Sequence, residues 1–394
     1  MISIVGGVYA ERCVEPHWDD VYGSAGRAAA AISAAVRPRL VTYRARELAD
    51  GLDNLQRVYS LELDGPEVAT GVSFDYVHSL AVPRITPRPD AIPRHATIDV
   101  SDDVVLRFGM LEGDAKVRAR RAVYDPQSAF GPVPFKQNGS VADELALILN
   151  RLEARCLTGE SDPGKAIARL FEMEDAAVIV LKMGGHGALV ATKDGITRVP
   201  AYRSERVFKI GSGDVFSAAF TLYWAVESRE PTEAANLASR ATSYYCATRA
   251  LPLPAVSEID EIGLQPVQPG SGQVYLASPF FNLAERWIVE EARSLLLDMG
   301  VPVFSPLHDV GSGPGYEVAP LDLAGIDASQ AVLAILNGAD VGTVFEVGYA
   351  VARKLPVVAL AQNMRSEDLK MVEGTACTVV EDLVSAIYHV VWTL

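Results

Sequence analysis

Four carboxylates crowd one stretch near the C-terminus: Asp322, Asp327, Asp340 and Glu346. Between them the apolar run 331–336 reads as a short strand, and Asn337 and Gly338 open a loop. From Val341 onward the apolar spacing becomes helical. In an open parallel sheet, ligands bind in the crevice at the C-terminal ends of the strands. Asp340 and Glu346 are therefore expected to meet there, beside a helix N-terminus. Thr343 and Glu346 also have the spacing of a capping box, which would satisfy orphan amides of the first turn. That role competes with a catalytic one. An N-glycosidic bond breaks through an oxocarbenium-like state, which one carboxylate can stabilise or trap while another acid protonates the leaving group. Several carboxylates in one cleft suit that chemistry, whereas a core has no use for them.

A second cluster lies in the N-terminal half. Gly211, Ser212, Gly213 and Asp214 stand immediately before an apolar helical stretch, 215–226. Glycines at a helix start leave backbone amides free to hold an anion, with the helix dipole aligned to help. An aspartate in that first turn can accept a proton from a substrate hydroxyl while the amides stabilise a transferring phosphoryl group. The competing reading is that Asp214 is a favourable N-terminal charge and no more.

The elements needed to position these groups are readable in outline. Residues 2–9 read as a strand ending in Gly6 and Gly7, and Gly23, Ser24 and Gly26 open an Ala-rich helix. Strands are expected at 104–108, 121–124, 145–150 and 177–182, a helix at 164–174, and a hairpin over 188–200. Residues 38–100 read as short strands and loops to which no chemistry is assigned. Toward the C-terminus, strands at 273–277, 301–304 and 356–361 alternate with helices at 283–299 and 381–388. Strands alternating with helices argue for parallel α/β sheets. Between the halves, Pro252, Pro254, Pro266, Pro269, Gly270 and Gly272 mark a linker.

At 394 residues the chain is long enough for two domains with full cores. Hydrophobic residues make up 49% and charged residues 22%, the composition of globular protein. A net charge of −15 argues against nucleic-acid polymers and anionic membranes as partners. No apolar run approaches the roughly 18 residues of a membrane span, and the first residues lack the basic flank of a signal peptide. Cys13, Cys156, Cys246 and Cys377 are scattered without CxxC spacing, which fits a reducing compartment and gives no metal signal. The expected location is the cytoplasm.

Two resemblances sharpen these readings. Tyr275, Ser278, Pro279 and Phe280 with Asp340, Gly342, Thr343, Glu346, Gly348 and Ala350 resemble the nucleoside 2-deoxyribosyltransferase family and its nucleotide N-glycosidase relatives. The resemblance implies that Glu346 is the nucleophile, that Tyr275 positions it, and that Asp340 and Asp322 bind the base or handle its proton. Asp327 could stand in for Asp322. Ser278, Gly342 and Thr343 could meet the sugar near its 5′ position, and Phe280 would wall the pocket. Asn150 and Glu153, Lys182, Gly184 and Gly187, then Gly211 to Asp214, occur in the order of the ribokinase-like, phosphofructokinase B-type carbohydrate and nucleoside kinases. That resemblance implies Asp214 as catalytic base, an anion hole at Gly211, Ser212 and Gly213, and Asn150 and Glu153 near magnesium and phosphates. Lys182, Gly184 and Gly187 would flank the nucleotide. Phe208 and Lys209 stand where relatives carry Asp-Thr.

The expectation is thus a ribokinase-like α/β domain (1–251), a Pro/Gly linker (252–272) and a flavodoxin-like doubly wound parallel-sheet domain (273–394). Its expected work is nucleoside or nucleotide metabolism: cleavage or transfer of an N-glycosidic bond without a cofactor, joined to a sugar or nucleoside kinase using ATP and Mg2+. Two alternatives stay open, a nucleoside 5′-monophosphate N-glycosidase and a nucleotide-sensing protein whose kinase-like domain does not turn over. Small-molecule nucleosides, nucleotides and sugars are the expected ligands, and a homodimer or higher homo-oligomer the expected assembly.

Overall fold

The computed structural model describes residues 2–268 and 270–394. The chain divides into two compact units, Met1–Val267 and Gln268–Leu394. Each is an α/β body.

The first unit is built on a nine-stranded sheet. In spatial order its strands are Gly195–Val199, Ala188–Thr192, Val178–Lys182, Val141–Asn150, Ala115–Asp125, Ile98–Phe108, Ile2–Val5, Arg39–Val41 and Glu62–Asp64. The pairings are parallel except at the hairpin edge, where Val178–Lys182 meets Ala188–Thr192 and that strand meets Gly195–Val199 in antiparallel register. Alternate side chains feed two cores, one per face. Ile4, Leu106, Val123 and Ile148 pack on one side, while Val5, Val105, Ala122 and Leu147 pack on the other. Helices must therefore cover both faces. Gly23–Ile32, Ser212–Phe220 and Pro231–Thr248 join the first core, and residues of Arg151–Thr158 and Pro163–Met173 join the second.

The region with no assigned chemistry forms much of a second, four-stranded sheet. Its order is Trp18–Val21, Ala10–Glu15, Ser73–His78, Arg84–Thr86. One rung runs Glu11, Phe74, Ile85, and two residues along, on the same face, Cys13 pairs with Tyr76. Side chains along a rung share a face.

The segment read as a linker is mostly structure of the first unit. Leu253 donates its amide to Ala31 and is buried, Val256–Glu261 is a helix that buries Ile259, and Pro266 bridges Tyr202. These apolar side chains had a core to join, which proline and glycine counts do not reveal. Pro269 lies outside the described residues.

The second unit has a five-stranded, all-parallel sheet ordered Val303–Phe304, Val274–Ala277, Ala331–Ile335, Val357–Leu360, Cys377–Val380. In chain order that is 2-1-3-4-5, the flavodoxin-like doubly wound arrangement. Its last strand, and the helix Ser366–Glu373 before it, correct the expectation that 356–361 is the final strand. Residues 311–314 are irregular, and the helix Gly315–Ala328 starts directly after them. Asn282 caps Leu283–Asp298 through a reciprocal capping box with Glu285. Among the described residues no helix is long and apolar enough to cross a membrane. All four cysteines are free thiols.

Candidate functional site

In the second unit, Tyr275 stands on the first strand and Glu346 in the second turn of the helix Val341–Ala352. The Tyr275 hydroxyl donates to Glu346 Oε1 at 2.6 Å. The tyrosine is fully buried and stacks on Phe304 with ring centroids 5.5 Å apart, so its hydroxyl is a fixed donor. Burial pushes the Glu346 carboxyl up to about 7, the Tyr275 hydrogen bond works against that, and the charges of Asp322 and Asp340 add to it. Burial also raises Asp322, whose Oδ1 is buried without a partner. The Tyr275 hydroxyl is raised above its ordinary value, first by burial and then by the Glu346 charge.

The capping-box role for Glu346 is overturned. Asp340 is the N-cap of this helix, and its Oδ2 accepts from the Thr343 amide at 2.8 Å and from the Thr343 hydroxyl at 2.9 Å. Glu346 is left for Tyr275. The structure thus brings Tyr275, Asp322, Asp340 and Glu346 into mutual electrostatic range. Asp327 is placed elsewhere, held by the Tyr349 hydroxyl at 3.0 Å and by Arg353 at 2.7 Å. Ser278 is buried just past the first strand and donates to the Pro279 carbonyl. Phe280 is half-buried and stacks on exposed Phe281. Gly342 lies in the first turn, where an added side chain would approach Asp340 Oδ2 at 3.1 Å. His308, in the short helix Pro306–Asp309, is engaged between Ser305 and Glu290.

In the first unit, Gly211 is the left-handed N-cap of Ser212–Phe220 and Asp214 lies in its buried first turn. Both Asp214 oxygens are engaged: Oδ1 accepts from Gln127 at 2.9 Å and Oδ2 from Arg27 at 3.1 Å. Arg27, 1% exposed, also pairs with Glu11. Ser24 donates to Gln127 at 2.7 Å, which extends the chain of bonds. A cavity of about 410 Å3 opens beside these groups and is walled by Tyr9, Phe74, Tyr76, Ile85 and Leu111.

Behind the glycines lies a further charged group. Lys182 Nζ donates to Asp125 Oδ2 at 2.7 Å, and Ser217 donates to the same oxygen at 2.7 Å. Lys182 Nζ comes within 3.4 Å of where a Gly213 side chain would sit, which puts an ammonium beside the helix N-terminus. Asp125 Oδ1 is buried without a partner. Asn150 and Glu153 do form a capping box, on Arg151–Thr158. Burial first, then the charge of Asp125, still pushes Glu153 to about 7, and Lys182 pulls it down. Gly184 and Gly187 belong to a tight turn instead. Gly187 has φ of +85°, and the Val199 carbonyl lies 2.1 Å from where its side chain would project.

A phosphate donor fits this arrangement by charge: backbone amides at a helix start and Lys182 would take its oxygens. Among the described residues no group of three or more His, Cys, Asp or Glu is arranged to hold a metal. Magnesium would arrive with the phosphates, near the orphaned Asp125 oxygen and Glu153. Sequence reasoning missed Asp125, Gln127, Arg27 and Glu11. Asp125 and Gln127 were detectable, since they end a central parallel strand where ligands gather. Phe208, the departure from the Asp-Thr pattern, is a packing residue 5.3 Å from Trp18 and 6.3 Å from Tyr245, measured between ring centroids.

Comparison with known proteins follows the division into units. Residues 274–379 match the nucleoside 2-deoxyribosyltransferase family, and residues 143–251 match the pfkB family of carbohydrate kinases. Among solved structures, ribokinase from Arabidopsis thaliana, complexed with ribose and ATP, is similar at 16% identity and a TM-score of 0.51, covering 66% of this chain and 97% of its own. A nucleoside kinase from Burkholderia thailandensis in complex with inosine is similar at 15% identity and a TM-score of 0.50, covering 68% and 99%. At such identities the likeness is one of fold. No curated protein matches.

Proposed function

We propose that this chain, which joins a ribokinase-family kinase domain to a nucleoside 2-deoxyribosyltransferase domain, breaks the N-glycosidic bond of nucleosides through Glu346. The observation that carries the reading is the 2.6 Å bond from buried Tyr275 to Glu346, with Asp322 and Asp340 beside it. Tyr275 holds one carboxylate oxygen, and the other attacks C1′ of the sugar. The C–N bond breaks, and the departing base takes a proton from Asp322 or Asp340. Burial keeps Asp322 protonated to higher pH than usual, which suits a proton donor. The glycosyl ester on Glu346 then passes to a second base or to water. In the first unit, Asp214 would accept the proton of a sugar or nucleoside hydroxyl while Lys182 and the Gly211–Gly213 amides hold the donor phosphates.

The sensing alternative draws support from one observation: both oxygens of Asp214 are already engaged, by Arg27 and Gln127. A substrate hydroxyl would have to share an oxygen that already accepts a hydrogen bond, and binding without turnover becomes a real outcome.

The deciding experiment measures base release from ribo- and deoxyribonucleosides and their 5′-monophosphates, with and without an acceptor base, beside Glu346→Ala. Release that needs an acceptor and disappears in the variant supports transfer. Release into water from monophosphates alone supports the N-glycosidase. Release that survives the substitution would sink the role of Glu346.

A further inference from the structure

The cavity of the first unit has two unlike sides. On the polar side one chain of hydrogen bonds runs from Ser24 through Gln127, Asp214 and Arg27 to Glu11. The charged residues that line the cavity are Glu11, Arg27 and Asp214, and the single cation among them is spent on both carboxylates. Away from the helix start that would hold the donor's phosphates, an anionic ligand would find no unshared positive charge there. A sugar phosphate or a nucleotide would have to bury its charge unpaired, which is strongly disfavoured.

The other side is apolar and built on the second sheet. The rung Glu11–Phe74–Ile85 and the adjacent Tyr76 place a phenyl ring, a branched aliphatic chain and a phenol on one face. Tyr9 completes the wall, its ring centroid 5.2 Å from that of Phe74. It is fixed in place because its hydroxyl donates to Glu112 at 2.6 Å and accepts from the Leu111 amide. Met110 and Leu111 close the same side. A free pentose carries hydroxyls all round. It would occupy a fraction of about 410 Å3 and press unpartnered hydroxyls on this wall, which is disfavoured. A flat heteroaromatic base instead stacks on aromatic side chains and tolerates the apolar surroundings.

We infer that the acceptor side of this cavity takes an uncharged nucleoside, its base against Tyr9, Phe74 and Ile85 and its ribose hydroxyls toward Asp214, in preference to a free sugar, a sugar phosphate or a nucleoside monophosphate. The inference rests on the kinase-like reading of this site for its orientation, though not for its occupant. It also fixes an order. The base is still attached when the first unit acts, so any phosphorylation there precedes base release, and its product is a nucleoside monophosphate. In that step the substrate hydroxyl oxygen bonds to the terminal phosphorus of a nucleoside triphosphate. The bond to the diphosphate breaks, and the hydroxyl proton passes to Asp214.

Because the second unit is itself proposed to bind nucleosides, the test must localise the ligand. Hydrogen–deuterium exchange with mass spectrometry on the full chain does so, with inosine, cytidine, ribose, ribose 5-phosphate and inosine monophosphate as probes. The expected result is protection of residues 74–86 and 210–215 by one or both nucleosides, and none there by the other three. Phe74→Ala should weaken that protection about 10- to 100-fold and Phe74→Tyr should restore it, a contrast that loss of folding would not give. Equal protection by ribose or by the monophosphate, or nucleoside protection confined to 268–394, would overturn the inference. Release of ADP, measured in parallel, tests turnover separately: binding without ADP leaves the occupant intact and removes the kinase.

Discussion

Glu346 is the residue on which the chemistry of the second unit turns, and its proton equilibrium makes two linked predictions. Burial lifts its carboxyl from an ordinary 4.5 to about 7. A nucleophile must be ionised and the proton donor must keep its proton, so the pH profile of base release should be bell-shaped, with one limb set by Glu346 at about 7. The same shift acts on stability with a definite sign. Between the two values the folded chain keeps a proton that the unfolded chain has lost. Stability therefore falls as pH rises from the unfolded value through about 7. Glu346→Gln removes the charge but keeps an oxygen to accept from Tyr275. It should abolish base release and yet stabilise the second unit by about 1–3 kcal/mol at about pH 8, with the gain fading at about pH 5. Thermal unfolding of both proteins across that range would show it. A constant difference at all pH values would mean that Glu346 is not the group responsible.

At the scale of elements, two glycines at one helix start separate architecture from ligand binding. Gly211 has φ of +75°, and an added Cβ would lie 2.1 Å from the Arg27 side chain. Gly211→Ala should therefore cost about 1–3 kcal/mol through backbone strain alone and displace the arginine that holds Asp214. Gly213 has no such constraint, and its nearest neighbour is Lys182 Nζ at 3.4 Å. Gly213→Ala should leave the melting temperature nearly unchanged and weaken only the binding of a phosphate donor. Equal melting temperatures for the two variants would contradict this division. Both glycines were legible in the sequence as a helix start, because Gly211, Ser212, Gly213 and Asp214 stand directly before an apolar helical stretch. So was Glu346, whose spacing from Asp340 places both at one helix start. The strand Cys377–Val380 was not: it is short and only partly buried, so its apolar pattern is weak. Nor were Phe74 and Tyr76, since a half-exposed sheet of strands no longer than six residues lacks the long apolar runs that mark a core. Arg27 reads as an exposed helix charge until the fold brings Glu11 and Asp214 to it, across 16 and 187 positions of chain.

For the molecule as a whole, the surface of the second unit bears on assembly. On the helix Val341–Ala352, Val341, Val344 and Phe345 are 82%, 44% and 64% exposed. Tyr316 and Leu321, on the helix Gly315–Ala328 that packs against it, are 80% and 54% exposed. Scattered apolar side chains on a surface are ordinary, but a contiguous set on two packed helices is the mark of an interface. Phe345 and Leu321 precede Glu346 and Asp322 in the chain, and successive helix residues do not share a face, so this surface borders the carboxylates without covering them. A second copy of this chain is the partner expected to cover it. The expected outcome is a dimer in light scattering at moderate salt, with Phe345→Glu reducing the mass to that of one chain. The melting transition of the first unit should stay where it was in that variant. A monomeric wild-type chain, or a dimer that survives Phe345→Glu, would place the interface elsewhere and leave these helices to the substrate.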